Sequence, residues 1–243
     1  MTRSIVRIRR GVSVAASVLA ALVCAAPAAA QVGFEPAESP FRDIVYRSAF
    51  TGFAGWLATA SDVAGVAPQS GPMIGIRWDA RVGGPVDFMA RLATVRSERT
   101  VIDPVRPPDD RDRGTVTVPL TLLDLGIGLN LTGQKSWRTL VPVVNLGVGV
   151  ITDFEPEDVG GFKLGTNLAV SAGAGVRWIP GTGRLSFRAD IADHLYRIRY
   201  PGLYYGDASI PAGIPPVLEA TEARSRWTNN FSITLGGAYQ LWR

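Results

Sequence analysis

Apolar residues recur at every second position through most of this chain, and that period limits what it can fold into. In residues 73–84, MIGIRWDARVGG, Ile74, Ile76, Trp78, Ala80 and Val82 alternate with Arg77, Asp79 and Arg81. Successive side chains of an extended strand point to opposite sides, so such a segment has one greasy side and one charged side. The pattern returns in Val86, Phe88, Ala90 and Leu92, set against Asp87 and Arg91. In residues 117–131 a mostly apolar face opposes Asp124, Gly126, Gly128 and Asn130. Residues 140–150 oppose Asn145, Gly147 and Gly149, and residues 164–178 oppose Asn167, Ser171, Gly173, Gly175 and Arg177. The last two runs, 185–195 and 231–241, set their apolar faces against Arg188, Asp190 and His194, then Ser232, Thr234, Gly236 and Gln240. These make seven strands. An eighth, with poorer alternation, is expected over residues 50–57, FTGFAGWL. Pro119 and Pro142 fall inside two of the strands, where each removes a ladder donor and predicts a local bulge.

One apolar and one polar face suit two structures. A soluble sheet turns the apolar face to its core, and a transmembrane barrel turns it to lipid. The connections separate them. Residues 83–85, 132–136 and 180–183 are short links, while 58–70, 99–114, 152–162 and 199–225 are long and polar or rich in Pro and Gly. Short and long links alternate along the chain, as the two ends of a membrane barrel require. The tryptophans agree. Trp78, Trp137, Trp178 and Trp242 fall toward the short-turn ends and Trp56 and Trp227 toward the other, as two interfacial girdles would place them. The expectation is an all-β fold: an eight-stranded antiparallel up-and-down transmembrane β-barrel, with short periplasmic turns and long extracellular loops. A soluble exported β-protein is the alternative.

The first thirty residues carry Arg3, Arg7, Arg9 and Arg10, then an apolar run, then Ala28-Ala29-Ala30 before Gln31. That order reads as a secretory signal peptide over residues 1–30, cleaved between Ala30 and Gln31. Of 25 basic residues four lie in this segment and none of the 21 acids does, so the mature chain is charge-neutral. Its composition gives no support for nucleic-acid binding. Cys24, the only cysteine, lies in the same segment behind Val23, so it lacks the small preceding residue of a lipid-anchor site, and no disulfide is expected. Residues 31–49 read as a periplasmic leader, for which two readings stand: a short helix over residues 41–46 opened by Ser39-Pro40, or a segment without regular structure. Residues 50–243 are the barrel.

In strand number, link order and girdles, residues 45–242 resemble the small eight-stranded outer-membrane barrels of the OmpA/OmpX type. The resemblance implies the outer membrane of a diderm bacterium, with outer-membrane lipid and the barrel-assembly machinery as partners. Members of that group usually end in an aromatic residue; here Trp242 is followed by Arg243.

An eight-stranded barrel is just wide enough for side chains to fill it. The expected lumen residues are Arg77, Asp79, Arg81, Asp87, Arg91, Asp124, Asn130, Asn145, Asn167, Arg177, Arg188, Asp190 and His194. Mixed signs point to a charge-paired, filled interior; a narrow conduit for ions or small solutes is the second reading. His194 is the only histidine, with Asp190 on its face and Ser232 expected deeper, which makes a lipid-modifying enzyme the third. No catalytic set, cofactor or metal site is expected, since arginines intersperse the acids of DPVRPPDDRDRG and no calcium-ligand spacing appears. The expected function is therefore that of a monomeric, non-enzymatic barrel with a structural or surface-interaction role, its long loops available to a surface ligand.

Overall fold

A computed structural model of the chain describes residues 38–181, 183–206 and 210–241. The expected signal peptide with its Ala30–Gln31 junction, the first part of the leader, and Trp242 lie outside the described residues. In the unit that begins at Pro40, ten strands form: β1 Phe41–Asp43, β2 Ser48–Thr59, β3 Gly71–Gly83, β4 Val86–Ile102, β5 Asp112–Asn130, β6 Lys135–Trp137, β7 Leu140–Thr152, β8 Asn167–Trp178, β9 Leu185–Arg199 and β10 Ser225–Leu241.

Eight of them close a ring. β2, β3, β4, β5, β7, β8, β9 and β10 pair antiparallel in that order, and β10 pairs back with β2 from Leu241↔Ser48 to Asn230↔Thr59. The fold is an all-β, eight-stranded antiparallel up-and-down barrel. Closure leaves no free edge around the ring, although the β4–β5 hairpin runs on beyond it. The weak first segment is thus a full strand: β2 pairs on both sides, with β3 and with β10. Its alternation is poor because Ala49, Gly52, Ala54 and Gly55 fill it with small residues.

Several expectations change. Residues 41–46 are not helical. β1 is extended and pairs with β6, from Phe41↔Trp137 to Asp43↔Lys135, outside the ring at the short-turn end. The long link expected over 99–114 shrinks to residues 103–111, because β4 and β5 run on as a paired hairpin through Thr100↔Thr115. Leu164, expected in a strand, lies before β8 and packs in the core. Pro119 and Pro142 cause no bulge: they pair in register with Arg96 and Val176. Each sits beyond the end of the strand on its other side, since β5–β7 pairing runs only from Thr121↔Thr152 to Asn130↔Val143. A missing donor is tolerated at such an edge.

Apolar clusters lie at both ends of the inside. At the long-loop end, Leu57, Met73, Val95, Leu120, Leu122 and Tyr196 point inward and meet Val66, Phe162, Leu164, Tyr204 and Leu218 from the loops. At the short-turn end, Ile44 and Tyr46 pack on Ala49, Val141 and Val143. Charged groups fill the space between.

Candidate functional site

The interior polar belt has three tiers. In the lowest, Arg177 donates to Asp87 Oδ2 at 2.7 Å and to the Tyr46 hydroxyl at 2.9 Å, and also bonds Asn130. Arg81, only partly buried, lies 3.8 Å from Asp87 and donates to the Ile44 carbonyl at 2.9 Å. In the middle tier Arg77 holds Asp79 through Nε at 3.0 Å and Nη2 at 2.7 Å, and reaches Asn145 Oδ1 at 2.8 Å. Arg188 pairs with Asp190 and extends to Asp79 at 3.4 Å and Asn145 at 3.3 Å. In the upper tier Arg91 pairs with Asp124, and its Nη2 lies 3.5 Å from His194 Nδ1. Five arginines and four aspartates thus share the belt. Pairing is what makes their burial tolerable, since an ion taken out of water alone costs several kcal/mol.

Of the expected lumen residues, Arg77, Asp79, Asp87, Arg91, Asp124, Asn130, Asn145, Arg177, Arg188 and His194 are buried in this belt, and Asp190 is half-buried beside Arg188. Asn167 stands apart, at the start of β8, where its amide donates to the Leu164 carbonyl at 2.6 Å.

Asp190, on the same strand face as His194, pairs with Arg188. His194 Nε2 lies 3.0 Å from Ser232 Oγ, a residue the sequence alone places deeper. Register explains the error: His194 opposes Asn230, two residues from Ser232 along β10, close enough for a diagonal contact. The geometry does not suit nucleophilic catalysis. Arg91 can only donate, so the tautomer that uses this contact carries its proton on Nε2, toward Ser232. A histidine donating to serine cannot take that serine's proton. His194 is also fully enclosed. Among the described residues, no group of acids, histidines or cysteines is placed to hold a metal ion.

The two apolar stoppers are what sequence reasoning missed. Ala93, Val95, Leu120 and Leu122 share the inward phase of the charged residues, so the inside face of β4 and β5 changes character partway along. The loops complete the seal. Asp158 pairs with Arg99 and accepts from the Phe162 amide at 3.0 Å, and the Arg99 guanidinium lies 5.4 Å from the Phe162 ring centroid. Asp153 accepts from the Leu164 and Gly165 amides at 3.0 and 3.1 Å.

The outer face is the inverse of the inside. Ile74, Ile76, Leu123, Leu125, Ile127, Leu146, Val148, Ile191, Phe231 and Ile233 all stand exposed around the ring. At the short-turn end Trp78 packs on Phe50 and Phe88 at 6.2 and 5.9 Å, and Trp178 stacks on Phe187 at 5.4 Å. Trp137 lies on β6 under Arg138, at 5.5 Å. Trp56 and Trp227 are exposed nearer the other end.

No protein-family profile matches the chain, and no curated protein matches it. Among solved structures, the crystal structure of Neisserial surface protein A (NspA) is similar, with 10% identity, 84% of this chain and 98% of that chain covered, and a TM-score of 0.47.

Proposed function

We propose that this protein is a barrel of the outer membrane of a diderm bacterium, exported by the signal peptide read over residues 1–30, with a non-enzymatic structural or surface-interaction role. One observation carries this: large apolar side chains cover the outside of a closed ring whose inside is already filled. Soluble proteins rarely leave so wide an apolar band in water, whereas lipid requires it and a closed barrel satisfies every backbone group there. On this reading Trp78 and Trp178 form the periplasmic girdle, Trp56 and Trp227 the outer one, and the long loops face the surroundings. The belt of Arg77, Asp79, Arg91, Asp124, Arg177 and Arg188 is an internal strut rather than a path, because apolar groups stop both ends.

The test has two steps. Full-length protein expressed in a diderm host is expected in the outer-membrane fraction, and its recovery in the soluble periplasm would overturn the membrane reading. Protein purified from those membranes is then recorded in a planar bilayer. Silence from inserted protein is expected; reproducible steps altered by Arg77→Gln or Arg188→Gln would make the lumen a conduit.

A further inference from the structure

The arginines of the barrel wall differ in where they point. Those pointing inward are engaged: Arg77, Arg81, Arg91, Arg99, Arg177 and Arg188 each face an aspartate. At the long-loop end of β9 the case differs. Arg197 and Arg199 are exposed and alternate with buried Tyr196 and Ile198, so they point out of the barrel, away from the core. On β10, Trp227 lies directly opposite Arg197 and Ser225 opposite Arg199, and Arg197 donates to the Ser225 hydroxyl. Arg226 is exposed on the adjoining rim. Among the described residues none of these three arginines is ion-paired.

One acid on that face is held by hydrogen bonds. Asp193, below on the same outer face, accepts from Asn229 Nδ2 at 2.7 Å and from the Asn230 amide at 2.9 Å. Beneath the arginines the outer face turns apolar, with Phe231 60%, Ile233 59% and Leu235 67% exposed on β10. Two outward guanidiniums therefore stand above a greasy strip, separated from it by the Asn229–Asp193 pair, with an indole level with Arg197.

We infer that Arg197 and Arg199, with Trp227 beside them, form a docking site for the phosphate of an anionic lipid headgroup in the outer leaflet. The inference rests on the membrane reading above. Alongside a barrel at this level the neighbouring molecules are lipids: acyl chains cover the strip and headgroups meet the residues above it. A guanidinium fork matches a phosphate oxygen pair and sheds its hydration more readily than an ammonium. An arginine at a headgroup surface strengthens anionic association by roughly fivefold. The indole suits the boundary between chain and headgroup.

The experiment titrates phosphatidic acid, a phosphomonoester lipid, into the membrane-purified full-chain protein in zwitterionic detergent and reads bound lipid by native mass spectrometry. Phosphatidylcholine is the arm with the phosphate masked by a cation. Phosphatidic acid is expected to bind the wild type well above phosphatidylcholine, and the double variant Arg197→Gln/Arg199→Gln to lose about twentyfold of that affinity. Arg184→Gln, at the short-turn end, is expected to leave it unchanged. Heat-modifiable gel mobility confirms that each variant is a folded barrel. Equal binding of the two lipids, or wild-type affinity in the double variant, would overturn the site. Displacement by inorganic phosphate at the same concentration as the lipid would make it a free-anion site and overturn the lipid as its occupant. A protein that proves soluble fails the membrane reading instead, and the fractionation detects that separately.

Discussion

The Tyr46 hydroxyl accepts a hydrogen bond of 2.9 Å from Arg177 Nη1, joining positions 131 residues apart in the chain. The same ring lies 5.8 Å from the Arg177 and Arg81 guanidinium carbons. The segment preceding the first ring strand therefore reaches into the barrel and caps its charged belt from below. Tyr46→Phe removes only the hydrogen bond and is expected to cost about 1.5–3 kcal/mol, the range for bonds to a charged group. Tyr46→Ala also leaves a cavity, and its expected cost is about 3–5 kcal/mol. Urea unfolding of the two variants checks the order. Equal, negligible effects would mean that the leader does not hold the mouth closed.

The Arg91–Asp124 pair is fully enclosed, so its two halves cannot be treated separately. Asp124→Asn leaves Arg91 without a counter-charge and is expected to destabilise the barrel by about 3–5 kcal/mol. The double change Arg91→Met/Asp124→Leu removes both charges and is expected to recover most of that loss. A double-mutant cycle measures the difference. Additive losses would show that the pair is not coupled.

Two glycines of the barrel wall should behave in opposite ways. A Cβ built on Gly126 would lie 2.1 Å from the Leu146 carbonyl oxygen and 2.7 Å from the Gly147 Cα. These two glycines face each other across β5 and β7, and the tight curve of the wall leaves no room for a side chain there. Gly52 stands on the outer face with nothing within 4 Å of such an atom. Gly126→Ala is expected to lower folding yield sharply, because only backbone movement relieves the contact. Gly52→Ala is expected to be neutral, or to stabilise by about 0.4–1 kcal/mol through the unfolded chain. Heat-modifiable mobility scores both, and an unaffected Gly126→Ala would mean the wall yields more easily than its packing suggests.

The ring was legible because period-two alternation is a property of neighbouring residues. Ile74 against Arg77 or Leu125 against Asp124 tells inside from outside without knowledge of any partner strand. The stoppers were not legible for the opposite reason. Leu120 and Leu122 share the inward phase of Asp124, and an apolar residue on that phase looks like noise until Phe162 and Tyr204 arrive from distant loops to cover it. Partner choice was illegible as well: Asp190 lies on the same strand face as His194, yet the ring nitrogens meet Arg91 and Ser232, set by the registers of β4 and β10. The leader illustrates a third limit. Ser39-Pro40 is a helix-start signal, but Ile44 and Tyr46 have apolar pockets waiting in the barrel mouth, and tertiary burial outweighs a local cap.

The long-loop stopper carries tyrosines whose ionisation is coupled to its integrity. Burial raises the Tyr200 phenol from its ordinary 10.0 to about 12, helped by the nearby Asp62 carboxylate. Burial raises Tyr204 as well, with Asp158 adding to the effect. A raised phenol is neutral when packed, while the same phenol in an opened loop ionises near 10. Below pH 10 both states are protonated and the stopper keeps its full stability. Between pH 10 and 12 the opened form gives up protons that the packed form retains, so stability falls as pH rises. The expected outcome is that phenolate absorbance develops late, and that cleavage of loop 153–166 by an alkali-tolerant protease increases over the same interval while the ring stays folded. Tyr204→Phe, which has no proton to lose, should weaken that pH dependence. Phenolate absorbance complete by pH 10.5 with no change in cleavage would show that these side chains are not enclosed by the loops.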